Sequence, residues 1–124
     1  MSRLTTHRRN ILNLINQYGH LTIPEIQKHL IDNNEKIALS TIYRSLNLLE
    51  DDHVVRRIQS KYGFDYYELY EQEAHDHFVC VKCWKIFDIP KKKINTNFLK
   101  EEGKLVDEIV TTYYGICNDC NLDN

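Results

Sequence analysis

Two C-x-x-C turns, Cys80-Val81-Lys82-Cys83 and Cys117-Asn118-Asp119-Cys120, constrain this chain more than anything else in it. Each turn aims two sulfurs at one point, and together they supply four thiolates, the closed tetrahedral set of a structural zinc ion. A redox pair would explain only one of the turns, and four unrelated buried cysteines rarely share this spacing. The 33 residues from Trp84 to Ile116 must therefore fold so that the second turn returns to the first. No apolar run approaches the ~20 residues of a membrane span, and Met1-Ser2-Arg3-Leu4 lacks the apolar core of a signal peptide. The expected location is the cytoplasm, where thiols stay reduced and metal ligation is favoured over disulfides.

With 124 residues, 42% hydrophobic and 27% charged, the chain has room for one domain or two very small ones. Composition shifts at the acidic stretch Glu71-Gln72-Glu73, which divides it into domains 1–72 and 73–124. Cores of that size are marginal without a metal or a partner subunit, so a zinc-bound homodimer is expected on energetic grounds, with Phe98, Leu99, Val106 and Val110 as apolar positions for it. Residues 1–72 carry nine Lys and Arg against nine Asp and Glu. A general basic patch is thus excluded as the argument for nucleic-acid binding, and placement of particular residues has to carry it.

In the first half, Ile11, Leu12, Leu14, Ile15 and Tyr18 have helical spacing and Gly19 supplies a stop, predicting a helix of about three turns. Thr22-Ile23-Pro24-Glu25 has the form of a capping box and opens a second helix with Ile23, Ile26 and Leu30 as its buried stripe. Ser40 is the expected N-cap of a third, which buries Ile42, Leu46 and Leu49. Its opposite face presents Ser40, Arg44, Asn47 and Asp51 with Tyr43 at the edge, groups of the kind that read a major groove. Val54 to Ile58, a turn at Ser60 to Gly63, and Phe64 to Leu69 then form a hairpin. Three helices followed by a hairpin is the winged-helix order, although any small helical domain with a hairpin attached shows the same pattern.

His75-Asp76-His77 runs directly into the first knuckle. On a strand, side chains two apart share a face, so both imidazoles point one way while Cys80 points the other. One strand can thus serve two metals. An H-x-H pair alone is weak evidence, but compatible ligands are at hand in Glu68, Asp88 and His20. Nitrogen and carboxylate ligands without thiolate suit iron(II), manganese(II) or zinc. A site drawing on both domains would fix the orientation of one against the other when metal binds.

These residues resemble the ferric uptake regulator family, across nearly the whole chain. Leu4-Thr5-Thr6-His7-Arg8-Arg9-Asn10-Ile11-Leu12 looks like the family's opening helix, and Ser40-Thr41-Ile42-Tyr43-Arg44-Ser45-Leu46 is similar to its recognition helix. His75-Asp76-His77-Phe78-Val79-Cys80-Val81-Lys82-Cys83 matches its most specific motif, and Tyr114-Gly115-Ile116-Cys117-Asn118-Asp119-Cys120 is similar to its second knuckle. The resemblance implies an α+β protein, a winged helix-turn-helix followed by a small α/β dimerisation domain with the four-cysteine zinc site. It implies structural zinc on Cys80, Cys83, Cys117 and Cys120, and a regulatory iron(II) or manganese(II), with zinc also compatible, on His20, Glu68, His75, His77 and Asp88. It implies a metal-loaded homodimer that binds inverted-repeat double-stranded DNA operators, with Ser40, Tyr43, Arg44 and Asn47 at the DNA, and represses genes of metal homeostasis or peroxide stress. Such a regulator is no enzyme and takes no membrane or small-molecule partner beyond metal ions.

The departures from the family's pattern are specific. A third metal site of some members would need ligands where this chain has Ala74, Asn95 and Ile109, so that site is expected to be absent, leaving Asp76 without a metal role. Trp84 and His53 stand where the family often has glycine, and the turn at Trp84 is expected to differ locally. Asp88 is shared with peroxide-sensing members, whereas Glu68 has the spacing of the iron sensors. Three other readings remain beside the regulator. A zinc hydrolase would need an open coordination position and a substrate pocket. A winged-helix protein with structural zinc only would leave its histidines as surface residues, and a disulfide switch would be built on the knuckles.

Overall fold

A computed structural model describes residues 3–70 and 74–122, so the expected boundary at Glu71-Gln72-Glu73 lies outside the described residues. The chain clusters into two units, Met1–Gln72 and Glu73–Asn124.

The first unit opens with helix α1 (Arg3–Tyr18), at sixteen residues more than a turn longer than its apolar spacing predicts. Gly19 ends it with φ 85° and donates its N–H to the Ile15 carbonyl at 2.8 Å, the left-handed exit that glycine takes without strain. A short strand β1 (Leu21–Thr22) leads into α2 (Ile23–Asp32). The capping box forms as expected: the Thr22 hydroxyl accepts from the Glu25 N–H, and the Glu25 carboxylate accepts from the Thr22 N–H at 2.9 Å. Ile23, Ile26 and Leu30 are buried.

Helix α3 (Leu39–Asp51) corrects one expectation. Its N-cap is Ala38, which makes no side-chain cap, and Ser40 lies inside the first turn. Tertiary packing decides this: Ile37 packs against the core, which fixes where the chain enters the helix, and the Ala38 carbonyl accepts from Thr41 and Ile42. Ile42, Leu46 and Leu49 are buried as predicted, joined by Ser45. Strands β2 (Val55–Ile58) and β3 (Tyr66–Leu69) make the wing, and β3 also pairs with β1, giving the sheet order β1-β3-β2. The second wing strand starts two residues later than its alternation suggests. The Asp65 carboxylate instead accepts from the Ser60 N–H at 2.9 Å and closes the loop, with Gly63 at φ 94°. Ile11, Leu14 and Ile15 of α1, the buried stripes of α2 and α3, and Leu21, Val55 and Tyr67 form one core, so this unit is held by ordinary apolar burial.

The second unit is held differently. Strand β4 (His75–Cys80) pairs antiparallel with β5 (Ile86–Pro90), a short helix α4 (Asn97–Glu101) follows, and β6 (Thr112–Gly115) returns parallel to β4 on its other side. Among the described residues, the only buried apolar side chains here are Val79, Cys80 and Cys117. Of the apolar positions anticipated for a dimer, Phe98 is 62% exposed and Val110 74%, and Leu105 beside them is 90% exposed. So little internal burial is the state in which a small domain depends on a metal or a partner.

The capping box is local and separable from any metal. Thr22→Ala is expected to cost about 1 kcal/mol of stability, read as a lower denaturant midpoint with unchanged slope; an unshifted midpoint would mean that the box contributes nothing.

Candidate metal centre

The parallel pairing of β4 and β6 sets the four sulfurs. Cys80 lies opposite Gly115 in register, and the Val81 N–H donates to the Gly115 carbonyl at 2.8 Å, so both strands run into their knuckles at the same end of the sheet. One sulfur from each of Cys80, Cys83, Cys117 and Cys120 lies within 4.8 Å of the others. Cys83 and Cys117 are 3.8 Å apart. A tetrahedron with metal–sulfur bonds of ~2.3 Å has edges of roughly 3.8 Å, whereas a disulfide closes to ~2.05 Å. The donor set and its size therefore fit zinc.

The backbone prepares the site electrostatically. The N–H groups of Lys82, Cys83 and Cys117 each donate to the Cys80 sulfur at 3.4 Å. Burial pushes the Cys80 thiol up, but the backbone donors of Cys83, Cys117 and Lys82 more than reverse this and hold it at about 6. Cys120 is pushed up to about 12, first by its hydrogen bond to Cys117 and then by burial. Without a cation, the cluster keeps one sulfur ready as thiolate and its neighbour protonated, since four close anions would repel. A divalent ion supplies the charge that lets all four ionise.

Trp84 closes the first knuckle, its N–H donating to the Cys80 carbonyl at 2.9 Å with φ 62°. This is the left-handed region that favours glycine, so tryptophan follows a glycine-like path at a cost of roughly 1 kcal/mol. His53 does the same after α3, at φ 57°.

The nitrogen and carboxylate candidates fall into two groups, one in each unit. In the first, β1 pairs with β3 so that Leu21 faces Tyr67, which sets His20 beside Glu68. The His20 Nε2 is 3.0 Å from Glu68 Oε2, and Glu68 is fully buried. In the second, His75 and His77 share a face of β4 with ring centroids 4.5 Å apart, while Cys80 turns to the zinc cluster, as the strand alternation predicts. Asp88 lies opposite His77 on β5, and its Oδ1 is 3.2 Å from His75 Nε2 and 3.8 Å from His77 Nε2. Ligand chemistry is thus gathered twice, as a pair and as a trio.

Two residues at these clusters escaped the sequence reading. Arg56 lies opposite Glu68 across the wing, its Nη1 4.0 Å from Glu68 Oε1. Lys91 pairs with buried Asp76 at 3.4 Å and also donates to the Ile109 carbonyl, which gives Asp76 a structural partner. Arg56 and the Lys91–Asp76 pair were findable by fixing the hairpin registers, whereas the bond from Lys91 to Ile109 joins a separate segment and leaves no local signal. On α3, Ser40, Tyr43, Arg44 and Asn47 are all exposed, and Tyr43 borders a cavity of about 200 Å³ with Arg57 and Phe64 of the wing. No helix of the described residues is long and apolar enough to cross a membrane.

Comparison with known proteins gives a consistent result. The model of the ferric uptake regulator family matches residues 1–113, ending just before the second knuckle. The chain is 30% identical over 128 residues to the ferric uptake regulation protein of Escherichia coli, covering 98% of this chain and 86% of that one. The ferric uptake regulator structure of Vibrio cholerae superposes with a TM-score of 0.79 at 29% identity, over 94% of this chain and 91% of that chain. The peroxide stress regulator of Campylobacter jejuni superposes at 0.70, also at 29% identity, over 95% and 91%.

Zinc ligation needs deprotonated sulfur, so protons compete with the metal and affinity falls as pH falls. Because the Cys80 thiol is held below its ordinary value, its ionised form persists down to about pH 6 and is lost below that. Dialysis against a chelator is expected to leave one zinc per chain at pH 8 and to strip it at pH 5, with all four thiols then open to alkylation. Zinc retained equally at both pH values would contradict ligation by this cluster.

Proposed function

Because the chain belongs to the ferric uptake regulator family, we propose that it is a metal-dependent repressor that binds inverted-repeat DNA operators as a zinc-stabilised homodimer and controls metal-homeostasis genes. The observation that carries this reading is the division of the ligand residues. His20 with Glu68 supplies two donors, and His75, His77 and Asp88 supply three, while iron(II) and manganese(II) take more nitrogen and oxygen ligands than either set offers. Pooling the two sets in one regulatory site completes the coordination. It also makes metal binding depend on how the winged helix, residues 1–72, is held against the dimerisation and metal-binding domain, residues 73–124. Such a metal supplies positive charge that the five ligands can share only in one arrangement, which is the differential affinity a switch requires.

The DNA side rests on the exposed face of α3, where Ser40, Tyr43, Arg44 and Asn47 offer hydroxyl, guanidinium and amide groups suited to base edges and phosphates. The dimer rests on exposed Phe98, Leu105 and Val110 in a unit with almost no core of its own. Zinc on Cys80, Cys83, Cys117 and Cys120 requires reduced thiols, consistent with the cytoplasm. We assign no catalytic role. A peroxide signal would rest on Asp88 and on the likeness to the peroxide stress regulator of Campylobacter jejuni, whereas Glu68 argues for direct metal sensing.

Purified protein is expected to hold one zinc per chain and to bind its operator tightly only after a second equivalent of iron(II) or manganese(II). His77→Ala should lower affinity for the second metal by at least about 100-fold and abolish metal-dependent DNA binding, leaving the zinc content and thermal unfolding of the domain unchanged. Equal DNA binding with and without the second metal would reduce the protein to a winged helix with structural zinc only, and the regulatory site would be abandoned.

A further inference from the structure

The wing carries a charge arrangement that zinc binding at the four cysteines does not use. Glu68 is fully buried and its two oxygens face different partners: Oε2 lies 3.0 Å from His20 Nε2, and Oε1 lies 4.0 Å from Arg56 Nη1. The second distance is that of an ion pair rather than a hydrogen bond, so Arg56 holds the oxygen by charge. The guanidinium is itself held in place. Glu68 and Tyr70 point to the same side of the wing, and Arg56, opposite Glu68 in register, reaches across to lie 4.9 Å from the Tyr70 ring centroid. The rings of His53 and Tyr70 make an edge-to-face contact at 5.4 Å, with His53 on a backbone in the left-handed region. The row His53, Tyr70, Arg56, Glu68, His20 therefore fixes which carboxylate oxygen faces which way.

We propose that Arg56 is a positioning residue that holds Glu68 Oε1, so that only Oε2 is offered to the regulatory metal, and that it thereby sets which divalent ion the site prefers. The proposal rests on the reading of Glu68 as a ligand. A carboxylate restricted to one oxygen lowers the number of bonds the site can make. Zinc is satisfied by four or five ligands, whereas manganese(II) prefers an oxygen-rich octahedral set and gains most from a second carboxylate oxygen. The charge of Arg56 repels both divalent ions alike, so removing it changes both affinities in the same sense. The ratio of the two affinities isolates the effect of the freed oxygen.

The test titrates full-length, zinc-loaded protein with manganese(II) and, separately, with zinc at the second site. The chains compared are wild type, Arg56→Met, Arg56→Lys and Glu68→Gln. Arg56→Met is expected to shift the manganese-to-zinc affinity ratio toward manganese by about tenfold, with Arg56→Lys near wild type because the charge is kept. A purely structural role for Arg56 would weaken both metals together and lower the unfolding midpoint of metal-free protein. A structural role alone leaves the ratio of the two affinities unchanged, and an unchanged ratio overturns the proposal. If Arg56→Met fails to fold, Arg56→Gln carries the same comparison. Glu68→Gln separates the two levels: retained second-metal binding removes Glu68 from the ligand set, whereas lost binding with no ratio change in Arg56→Met sinks only the role of Arg56.

Discussion

The second unit depends on one pairing, that of β4 with β6. Parallel strands run in the same direction, so each delivers its C-terminal turn to the same edge of the sheet, and here each C-terminal turn is a C-x-x-C knuckle. Antiparallel pairing would have put the knuckles at opposite ends. Once the strands are in register, Cys80 and Cys117 need only the geometry of the turns to meet, and the backbone N–H groups that stabilise the Cys80 thiolate come from both. The sheet thus builds the cluster, and a cation in the cluster in turn fastens a sheet whose own apolar burial is slight.

Carboxylates follow a common rule in both units. Glu68 faces His20 and Arg56, Asp76 faces Lys91, and Asp88 faces His75 and His77. In each of these three cases negative charge is matched with nitrogen, and for buried Glu68 and Asp76 the reason is that an unpaired carboxylate out of water is expensive. The partners differ in kind. Histidine can yield its place beside the carboxylate to a metal, while arginine and lysine keep their charge and stay. Within one small protein, carboxylates that could bind metal are thereby distinguished from Asp76, whose lysine also secures the segment around Ile109.

Much of this was legible in the sequence wherever the signal was local. The knuckle spacing, the alternation that turns His75 and His77 away from Cys80, the capping box at Thr22 and the buried stripes of α2 and α3 all depend on residues within a turn or two of each other. What was missed depends on distant partners. The cap at Ala38 is set by where Ile37 packs, the late start of β3 by the use of Asp65 as a loop acceptor, and the ion pairs of Arg56 and Lys91 by strand register and by a contact to another segment. Trp84 shows a third case, in which the turn was expected to differ locally but the backbone takes the path glycine would, as it does at His53.

The 33 residues between the knuckles also set a clock during synthesis. A ribosome adding roughly 5–20 residues per second takes about 2–7 s to travel from the first knuckle to the second. Throughout that interval the first pair of thiols has been made and its partners have not, so neither β6 nor the zinc cluster can exist. The winged helix lies wholly upstream, with a complete apolar core encoded before Cys80 is translated. The apolar half is therefore encoded in full before the second knuckle exists, whereas the metal half lacks two of its four sulfurs until Cys120 has been added.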